Sequence, residues 1–360
     1  MEEGPLVSIA IPAYNSGLYI SRALQSCIQQ TYKNIEIVVS DNASTDNTKE
    51  IVLDFARKDK RVKYFRNETN IGSGFNFLKA NEHATGFYSQ ALGSDDWLSS
   101  DYIEEALKTF KAHPDSAAVI ANIPSFKLEN KTSKLSFIDE LNLKQGHYSV
   151  DWFYRGLYLG YASSGFISFM RREDVVSALE IVLKEEVNFI QRGDRMEPFD
   201  MPIFLEIISK YKFLYVNKKP AYLKTVHGKE QVGLQGGYEG PDGKIIYAIK
   251  TRKAYELFFK KYNYSKHLFF LKIFSGLSIV ANMPLVILKN FNNKEFKKYF
   301  YALKESFKDF NLMEIIGIII LILPYILWRL CQRISNKFKS RTKFVLSKNY
   351  FLNDKLEFNF

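Results

Sequence analysis

The first ninety residues alternate between short apolar runs and amphipathic segments, and this alternation restricts the fold more than any other feature. Residues 6–11 are mostly apolar, and Ile20, Leu24 and Ile28 then recur at the spacing of one helix face. Residues 35–40 repeat the apolar run and lead into a second amphipathic segment. Alternating strands and helices predict an α/β fold whose parallel sheet is covered by helices on both faces.

Polar segments follow several of the predicted strands. Pro12–Asn15 follow the first strand, Asp41 follows the second, and Asp95 and Asp96 come shortly after the apolar run 87–92. Ligands of such sheets bind outside the carboxyl ends of the strands, so we expect these segments to line one crevice. An Asp in that position can accept hydrogen bonds from a nucleobase or a ribose, although an Asx turn is the structural alternative for Asp41.

The adjacent carboxylates Asp95 and Asp96 predict a metal site. Carboxylate oxygens suit a hard cation such as Mg²⁺ or Mn²⁺, which completes its coordination with water and phosphate oxygens. The structural alternative is a surface turn that caps a helix starting near Ser100. Together with the other strand-end segments, the pair favours a nucleotide diphosphate site. Neither the G-x-G-x-x-G nor the G-x-x-x-x-G-K-[ST] motif is found, which argues against dinucleotide and P-loop proteins.

Four blocks of the sequence resemble the ordered motifs of the family 2 glycosyltransferases of the GT-A fold. They are residues 7–15, 40–46, 70–72 and 93–96. The resemblance implies that residues 1–250 form a Rossmann-like nucleotide-diphospho-sugar transferase domain. It also implies a metal-dependent, inverting glycosyltransferase that uses Mn²⁺ or Mg²⁺. Such an enzyme moves a hexosyl or related group from a nucleotide-diphosphate donor, with a UDP-sugar favoured, to an acceptor hydroxyl.

The same resemblance implies roles for individual residues. The implied nucleotide-binding residues are Pro12, Ala13, Tyr14, Asn15, Asp41, Ser44, Asn70 and Ser94. The implied metal ligands are Asp95, Asp96 and His227, with a structural histidine as the alternative for His227. Gly93 stands where the usual D-x-D motif has its first Asp, which leaves the following pair to hold the metal. Lys224 and Gln231 are expected to contact phosphate or to belong to a closing loop.

The expected catalytic base is Asp200. It precedes the apolar segment 201–208 and resembles the family's Glu-Asp block, in which the Asp takes the proton from the acceptor hydroxyl. A single base on the far side of the sugar implies inversion at the anomeric carbon. Glu197 is the first alternative and Asp194 the second, while a helix N-cap is the structural alternative for Asp200.

The last part of the chain differs in charge from the rest. Residues 251–360 hold 20 Lys and Arg against 7 Asp and Glu, a net charge of +13, whereas the whole chain has +11. Apolar runs occur in the same region at 273–288 and 315–328, the second too short for the roughly 20 residues of a bilayer span. We predict a basic, apolar helical region with monotopic or re-entrant attachment to an anionic membrane surface. A buried helical subdomain is the alternative, and a full span by 312–330 stays open.

Partners and location follow from these features. Cys27 and Cys331 give no disulfide framework, which fits a reducing compartment, and Glu2 and Glu3 argue against a signal peptide. We therefore expect the cytoplasmic face of the inner or plasma membrane. The expected acceptor is a lipid-linked saccharide, polyprenyl-linked and destined for a bacterial surface polysaccharide such as O-antigen or capsule. No nucleic-acid partner is expected. A non-catalytic nucleotide-sugar binding protein and a membrane-recruited scaffold are the alternatives.

Overall fold

The computed structural model describes most of the chain up to residue 225 and parts of the rest. The described residues are 4–123, 125–127, 132–134, 143–159, 167–185, 200–225, 252, 255–273, 277, 310 and 312–321.

The strands of the described residues belong to one sheet. They are β1 (Val7–Ala13), β2 (Ile35–Asp41), β3 (Val62–Arg66), β4 (Tyr88–Ala91), β5 (Trp97–Leu98), β6 (Ser116–Asn122), β7 (Ser125–Lys127), β8 (Thr132–Lys134), β9 (Gly146–Ser149), β10 (Phe169–Arg171) and β11 (Phe213–Thr225). Their spatial order is β3-β2-β1-β4-β10-β6-β11-β7-β8, with β5 and β9 both pairing with β11.

Helices connect and cover these strands. They are α1 (Ile20–Ile28), α2 (Thr48–Lys58), α3 (Ser73–His83), α4 (Tyr102–Ala112), α5 (Val150–Leu159), α6 (Arg172–Glu185) and α7 (Asp200–Ser209). Residues 255–261, 265–273 and 312–321 are also helical. The strands and helices predicted from the apolar spacing of the first ninety residues are all present. In α7, Pro202 lies in the first turn, where its missing N–H removes no helical hydrogen bond.

The sheet is mixed rather than parallel throughout. β1 pairs in parallel with β2 and β4, and β2 pairs in parallel with β3, as predicted. β10 lies between β4 and β6 and is antiparallel to both. The prediction of a parallel sheet therefore holds for the first four strands and is wrong for the sheet as a whole. A strand of three residues has too short an apolar pattern to indicate its direction.

Apolar side chains cover both faces of the sheet, because neighbouring residues of a strand point to opposite sides. Ile9 and Ile11 of β1 join Leu24 of α1 in the core on one face. Ala10, between them, belongs to the core on the other face together with Phe77 of α3. The predicted cover of helices on both faces is thus confirmed.

Residues 255–273, which include two of these helices, pack against the second of these cores. Phe258, Phe259 and Leu271 lie in the same cluster as Phe204 of α7 and Tyr154 of α5. Within the described residues, no helix combines the length and the apolar character that a membrane crossing requires. The division into a transferase domain at 1–250 and a membrane-association region at 251–360 stays a prediction.

Candidate functional site

The loops that follow β1 and β4 meet at the carboxyl edge of the sheet. β1 lies between β2 and β4 and is parallel to both, so the three strands end on the same side. The hydroxyls of Ser16, after β1, and Ser94, after β4, are 2.7 Å apart and hydrogen-bonded. The strand-end segments that the sequence predicted to share a crevice therefore do lie at one edge.

The loop after β1 is fixed to the loop after β2. Asn15 has a φ of 48°, a left-handed conformation that Asn adopts more readily than most residues. Its N–H donates to Ser44 Oγ at 2.9 Å, and its Oδ1 accepts from the Thr45 N–H at 2.8 Å. Ser44 is buried. These hydrogen bonds hold two of the implied nucleotide-binding residues against each other.

Three further residues of the first block differ in exposure. Pro12 and Ala13 end β1, with Ala13 buried and Pro12 partly covered. Tyr14 leaves the strand with 39% of its surface exposed, which makes it an aromatic surface at the edge of the site. Exposed aromatic rings are suited to stacking on a base or a sugar.

Asp41 is fully covered by its neighbours. Its Oδ1 accepts from the Ser44 N–H at 2.9 Å, and its Oδ2 accepts from the Tyr64 hydroxyl at 2.6 Å and from Arg66 Nη1 at 2.7 Å. Burial and the bond to Asp41 raise the pKa of Tyr64 to about 12. Neither Tyr64 nor Arg66 is among the site residues predicted from the sequence. Their position at the end of β3, next to the end of β2, is the signal that identifies them.

The block at residues 70–72 is attached to the end of β2 through Asn42. The Asn42 amide donates to Asn70 Oδ1 at 2.7 Å, and Asn42 Oδ1 accepts from the Ile71 N–H at 2.9 Å. Asn70 Oδ1 also accepts from the N–H of Gly72, whose φ of 85° favours glycine. Asn70 itself is exposed at this edge. The implied nucleotide-binding blocks are therefore contiguous.

Asp96 is buried and both of its carboxylate oxygens accept hydrogen bonds. Oδ2 accepts from the Tyr222 hydroxyl at 2.8 Å, and Oδ1 accepts from the Thr225 N–H at 2.6 Å. The Tyr222 hydroxyl accepts in turn from the Gly93 N–H at 2.9 Å. The N-cap of α4 is Asp101, so the acidic pair does not cap that helix. The structural alternative of a simple capping turn does not describe this site.

The carboxylates of Asp95 and Asp96 converge over Gly93. A Cβ placed on Gly93 would lie 2.9 Å from Asp95 Oδ1 and 2.8 Å from Asp96 Oδ2. Burial, and then the charge of Asp95, raise the pKa of Asp96. A divalent cation would relieve this repulsion, and paired carboxylate oxygens are the donor set that Mg²⁺ and Mn²⁺ prefer. The two residues therefore fit a hard cation.

A complete metal site is not visible in the described part of the chain. No group of three or more His, Cys, Asp and Glu residues gathers there in a way that could hold an ion. The predicted third ligand, His227, lies outside the described residues. In many nucleotide sites, water and the phosphate oxygens of the nucleotide supply most of the ligands of Mg²⁺.

Arg22, which is not among the site residues predicted from the sequence, connects the acidic turn to the end of β11. Its Nη2 donates to the Asp95 carbonyl at 2.7 Å and to Thr225 Oγ1 at 2.9 Å, across 73 and 203 residues. The guanidinium also lies 4.2 Å from the ring centre of Trp97. Burial lowers the pKa of Arg22, although Asp96 and Asp95 oppose this effect. No local pattern identifies an arginine whose partners are so distant in sequence.

The remaining predicted site residues lie mostly outside the described side chains. Lys224 is exposed on β11 beside Thr225, and its charge acts to lower the pKa of Asp96. Asp200 is the first residue of α7, but its side chain lies outside the described part. Asp194, Glu197, His227 and Gln231 also lie outside the described residues.

The comparisons with known proteins agree on one family. Residues 8–174 match the family model described as glycosyl transferase family 2. An uncharacterized glycosyltransferase of Haemophilus influenzae is 37% identical over 147 residues, which are 40% of this chain and 58% of the relative. The GalNAc(5)-diNAcBac-PP-undecaprenol beta-1,3-glucosyltransferase of Campylobacter jejuni is 33% identical over 134 residues, 37% of this chain and 42% of that enzyme. Residues 8–174 therefore match a family 2 glycosyltransferase domain, which confirms the predicted resemblance.

A solved structure gives the same answer for the fold. Residues 1–349 of Staphylococcus aureus TarS, crystallised with UDP-GlcNAc, superpose with a TM-score of 0.59. The match covers 93% of this chain and 90% of that one at 17% sequence identity. The predicted GT-A fold is thereby confirmed. The matched segment spans only about half the length of the two relatives described above, 58% and 42%.

Proposed function

We propose that this protein is an inverting glycosyltransferase that moves a sugar from a nucleotide-diphosphate donor to a hydroxyl of a lipid-linked saccharide. The observation that carries the proposal is the convergence of Asp95 and Asp96 over Gly93, beside the loops after β1 and β2. This observation supports the proposal because a carboxylate pair of the kind that hard cations prefer lies next to polar loops at the edge where ligands of such sheets bind.

The donor is proposed to lie along the edge formed by the loops after β1, β2 and β3. Tyr14 offers an exposed ring, and Asn15, Ser44 and Asn70 offer polar groups near it. Asp41 is fully buried, so its proposed role in donor binding is indirect. It holds Arg66 by an ion pair, and the side chain of Arg66 is 37% exposed. A UDP-sugar is favoured, and the UDP-GlcNAc in the TarS crystal structure supports that choice.

The acidic turn is proposed to hold Mn²⁺ or Mg²⁺ through Asp95 and Asp96, with His227 as the third protein ligand. When bound, such a cation neutralises charge that develops on the diphosphate leaving group. The chain's own residues prepare the turn for this role. Tyr222 and the Thr225 N–H fix the orientation of Asp96, and Arg22 fixes the backbone at Asp95.

Transfer requires a base on the acceptor side. We assign it to Asp200, at the N-terminus of α7, with Glu197 and Asp194 as alternatives. The base takes the proton of the acceptor hydroxyl while that oxygen bonds to the anomeric carbon and the bond to the diphosphate breaks. Near a helix N-terminus, the helix dipole favours the ionised form of a carboxylate, which is the form a base needs. Lys224 is proposed to meet a phosphate as a point charge.

The acceptor and the location follow from the C-terminal charge and from a relative. The Campylobacter jejuni enzyme is named for a substrate attached to undecaprenol through a diphosphate. A lipid-linked acceptor at the cytoplasmic face of the membrane is consistent with the net charge of +13 in residues 251–360. The product is then a bacterial surface polysaccharide or a related glycan.

A transfer assay with the purified full-length protein tests the proposal. The protein is mixed with Mn²⁺, a panel of nucleotide sugars and a polyprenyl diphosphate-linked saccharide, and products are identified by mass spectrometry. The expected result is one added sugar of inverted anomeric configuration, with one donor strongly preferred. Equal transfer to the same saccharide without its lipid contradicts the lipid-linked acceptor.

The same assay separates the two alternatives. Donor binding with Mn²⁺ but no transfer to any acceptor supports a non-catalytic nucleotide-sugar binding protein. Absence of nucleotide binding, measured by calorimetry with UDP and other nucleoside diphosphates, supports a scaffold instead. Either result would contradict the proposed transferase activity.

A further inference from the structure

The helical segment 312–321 is oriented with its one charged residue inward. Glu314 is buried, and so is Ile318 one turn later. Gly317 also faces the protein, because a Cβ on it would lie 2.7 Å from Ile273 Cδ1. A surface helix in water normally shows the opposite arrangement, with its apolar side inward and its charges outward.

A buried ion pair holds this orientation. Lys272 Nζ lies 3.4 Å from both carboxylate oxygens of Glu314, and both residues are buried. The Lys272 ammonium and the Arg252 guanidinium also approach the ring of Phe310, at 5.9 Å and 5.1 Å from its centre. Removing one partner of such a pair leaves an uncompensated buried charge, so rotation of the helix is strongly disfavoured.

The orientation leaves a continuous apolar surface outside, which we name the outer face. Its residues are Leu312, Met313, Ile315, Ile316, Ile319 and Ile320. Each is between 38% and 71% exposed. Several of them recur at spacings of three and four residues, so they form one stripe along the helix. Exposed apolar patches of this kind mark surfaces that bind a membrane or another protein.

The positive charge of the C-terminal region favours an anionic membrane as the partner of the outer face. Residues 251–360, which contain this helix, carry a net charge of +13. An anionic bilayer surface attracts such a region, and its acyl chains accept the apolar side chains. Two copies of the region would repel each other, which disfavours a dimer formed through the same face.

We propose that the outer face of the 312–321 helix docks into the interfacial layer of an anionic phospholipid bilayer, to which the net positive charge of residues 251–360 attracts it. The proposal deepens the membrane location given under Proposed function by naming the surface. The helix is fixed to the glycosyltransferase domain through residues 265–273, where His267 Nε2 lies 3.0 Å from Asp151 Oδ1 of α5. Docking would therefore set the distance of the catalytic edge from the membrane.

Vesicle flotation of the full-length protein tests this surface. Vesicles of phosphatidylcholine alone are compared with vesicles that also contain phosphatidylglycerol. The wild-type protein is expected to float with the anionic vesicles and to remain largely unbound with the neutral ones. The double variant Ile316→Glu/Ile319→Glu is expected to lower the floating fraction at least about fivefold, because two carboxylates then enter the interface.

A matched control uses an exposed apolar residue elsewhere. Phe87 is 59% exposed at the start of the β4 region, and Phe87→Glu is expected to float like the wild-type protein. The thermal unfolding midpoint of each variant shows that the fold is retained. No transfer reaction is measured, so failure of the proposed enzyme activity and failure of docking give separate results.

Three outcomes would overturn the proposal. The first is equal flotation of the double variant and the wild-type protein. The second is equal flotation on neutral and anionic vesicles, which removes the anionic headgroup as the partner. The third is a wild-type protein that does not float but forms a dimer in light scattering, with the dimer abolished in the double variant, because the outer face would then bind a second copy.

Discussion

The hydroxyl of Tyr222 donates a hydrogen bond of 2.8 Å to Asp96 Oδ2 across 126 residues of sequence. The same hydroxyl accepts from the Gly93 N–H, so one phenol holds both ends of the acidic turn. Strand β11 thereby determines how the turn after β4 presents its carboxylates. The shape of the candidate metal site depends on a residue that is distant in sequence and buried in the structure.

Replacing Tyr222 with Phe tests this dependence. Tyr222→Phe leaves the partly buried Gly93 N–H and the buried Asp96 Oδ2 without their partner, which is expected to cost about 1–3 kcal/mol in the free energy of unfolding. Urea unfolding measures the change. Tyr32→Phe is the matched control, because the Tyr32 hydroxyl donates to the Pro5 carbonyl at an exposed position. A change of less than about 0.5 kcal/mol is expected there, as for ordinary surface substitutions.

The two acidic residues are expected to respond differently to replacement by Asn. Asp95→Asn is expected to weaken Mn²⁺-dependent UDP binding about tenfold or more with little effect on folding. Asp96→Asn is expected to weaken binding and also to destabilise the fold by about 1–3 kcal/mol, because the amide keeps only one acceptor oxygen for the two donors, the Tyr222 hydroxyl and the Thr225 N–H. Calorimetry of UDP with and without Mn²⁺, combined with unfolding curves, separates the two effects. Unchanged Mn²⁺ dependence in both variants would remove the metal site from the turn.

Gly93 is expected to be required by the space between the carboxylates. In Gly93→Ala the new methyl carbon would approach Asp95 Oδ1 and Asp96 Oδ2 to less than 3 Å. The two side chains must then move apart, and we expect Mn²⁺-dependent UDP affinity to fall about tenfold. UDP binding without metal is expected to change little. Loss of both in equal measure would show that the methyl group disturbs the nucleotide loops instead.

The elements that were predicted correctly from the sequence are those with a pattern in neighbouring residues. The strands and helices of the first ninety residues follow from apolar spacing, and the position of Asp41 and Asp95 follows from where their strands end. Arg22 and Thr225 have no such pattern, because their hydrogen bonds to the acidic turn span 73 and 129 residues of sequence. Their part in the site becomes visible only in three dimensions.

The same limit applies to the C-terminal region. The apolar run at 315–328 and the basic excess are evident in the sequence. Which side of the helix faces outward is decided by the ion pair of Glu314 with Lys272, 42 residues earlier. Apolar residues occur on nearly every side of this segment, so periodicity alone cannot assign its faces.

A buried carboxylate at the opposite end of the sheet gives a prediction about pH. Glu36 accepts hydrogen bonds from Lys63 Nζ, Ser8 Oγ and the N–H groups of Thr85 and Gly86. Burial alone would raise the pKa of Glu36, but the bonds from Lys63, Ser8 and Thr85 outweigh it and hold the pKa below its ordinary value. The stabilisation is therefore fully present above the unfolded-state pKa of about 4.3 and is lost as the pH falls through the folded-state pKa.

Glu36→Gln is expected to remove this stabilisation. The free energy of unfolding should fall by about 1–3 kcal/mol at neutral pH. The reason is that a neutral amide replaces a carboxylate that accepts hydrogen bonds from one charged and several neutral donors. Below the unfolded-state pKa the difference from wild type should shrink. Urea unfolding between neutral and acidic pH measures it. Asp54→Asn is the control, because Asp54 pairs with Arg57 and Lys58 on an exposed helix face. This substitution should change the urea midpoint of unfolding little. A difference that grows toward acidic pH would contradict the assigned direction of the pKa.

The assignment of the base is tested by a variant that separates binding from chemistry. Asp200→Asn preserves the size of the side chain at the start of α7 but cannot take a proton, so kcat is expected to fall by about two to four orders of magnitude. UDP affinity with Mn²⁺ is expected to stay within about twofold of wild type, since a base on the acceptor side does not bind the nucleotide. Glu197→Gln and Asp194→Asn serve as matched variants. Retained transfer in Asp200→Asn, together with its loss in Glu197→Gln, would move the base to Glu197, and parallel loss of UDP affinity in Asp200→Asn would place Asp200 on the donor side instead.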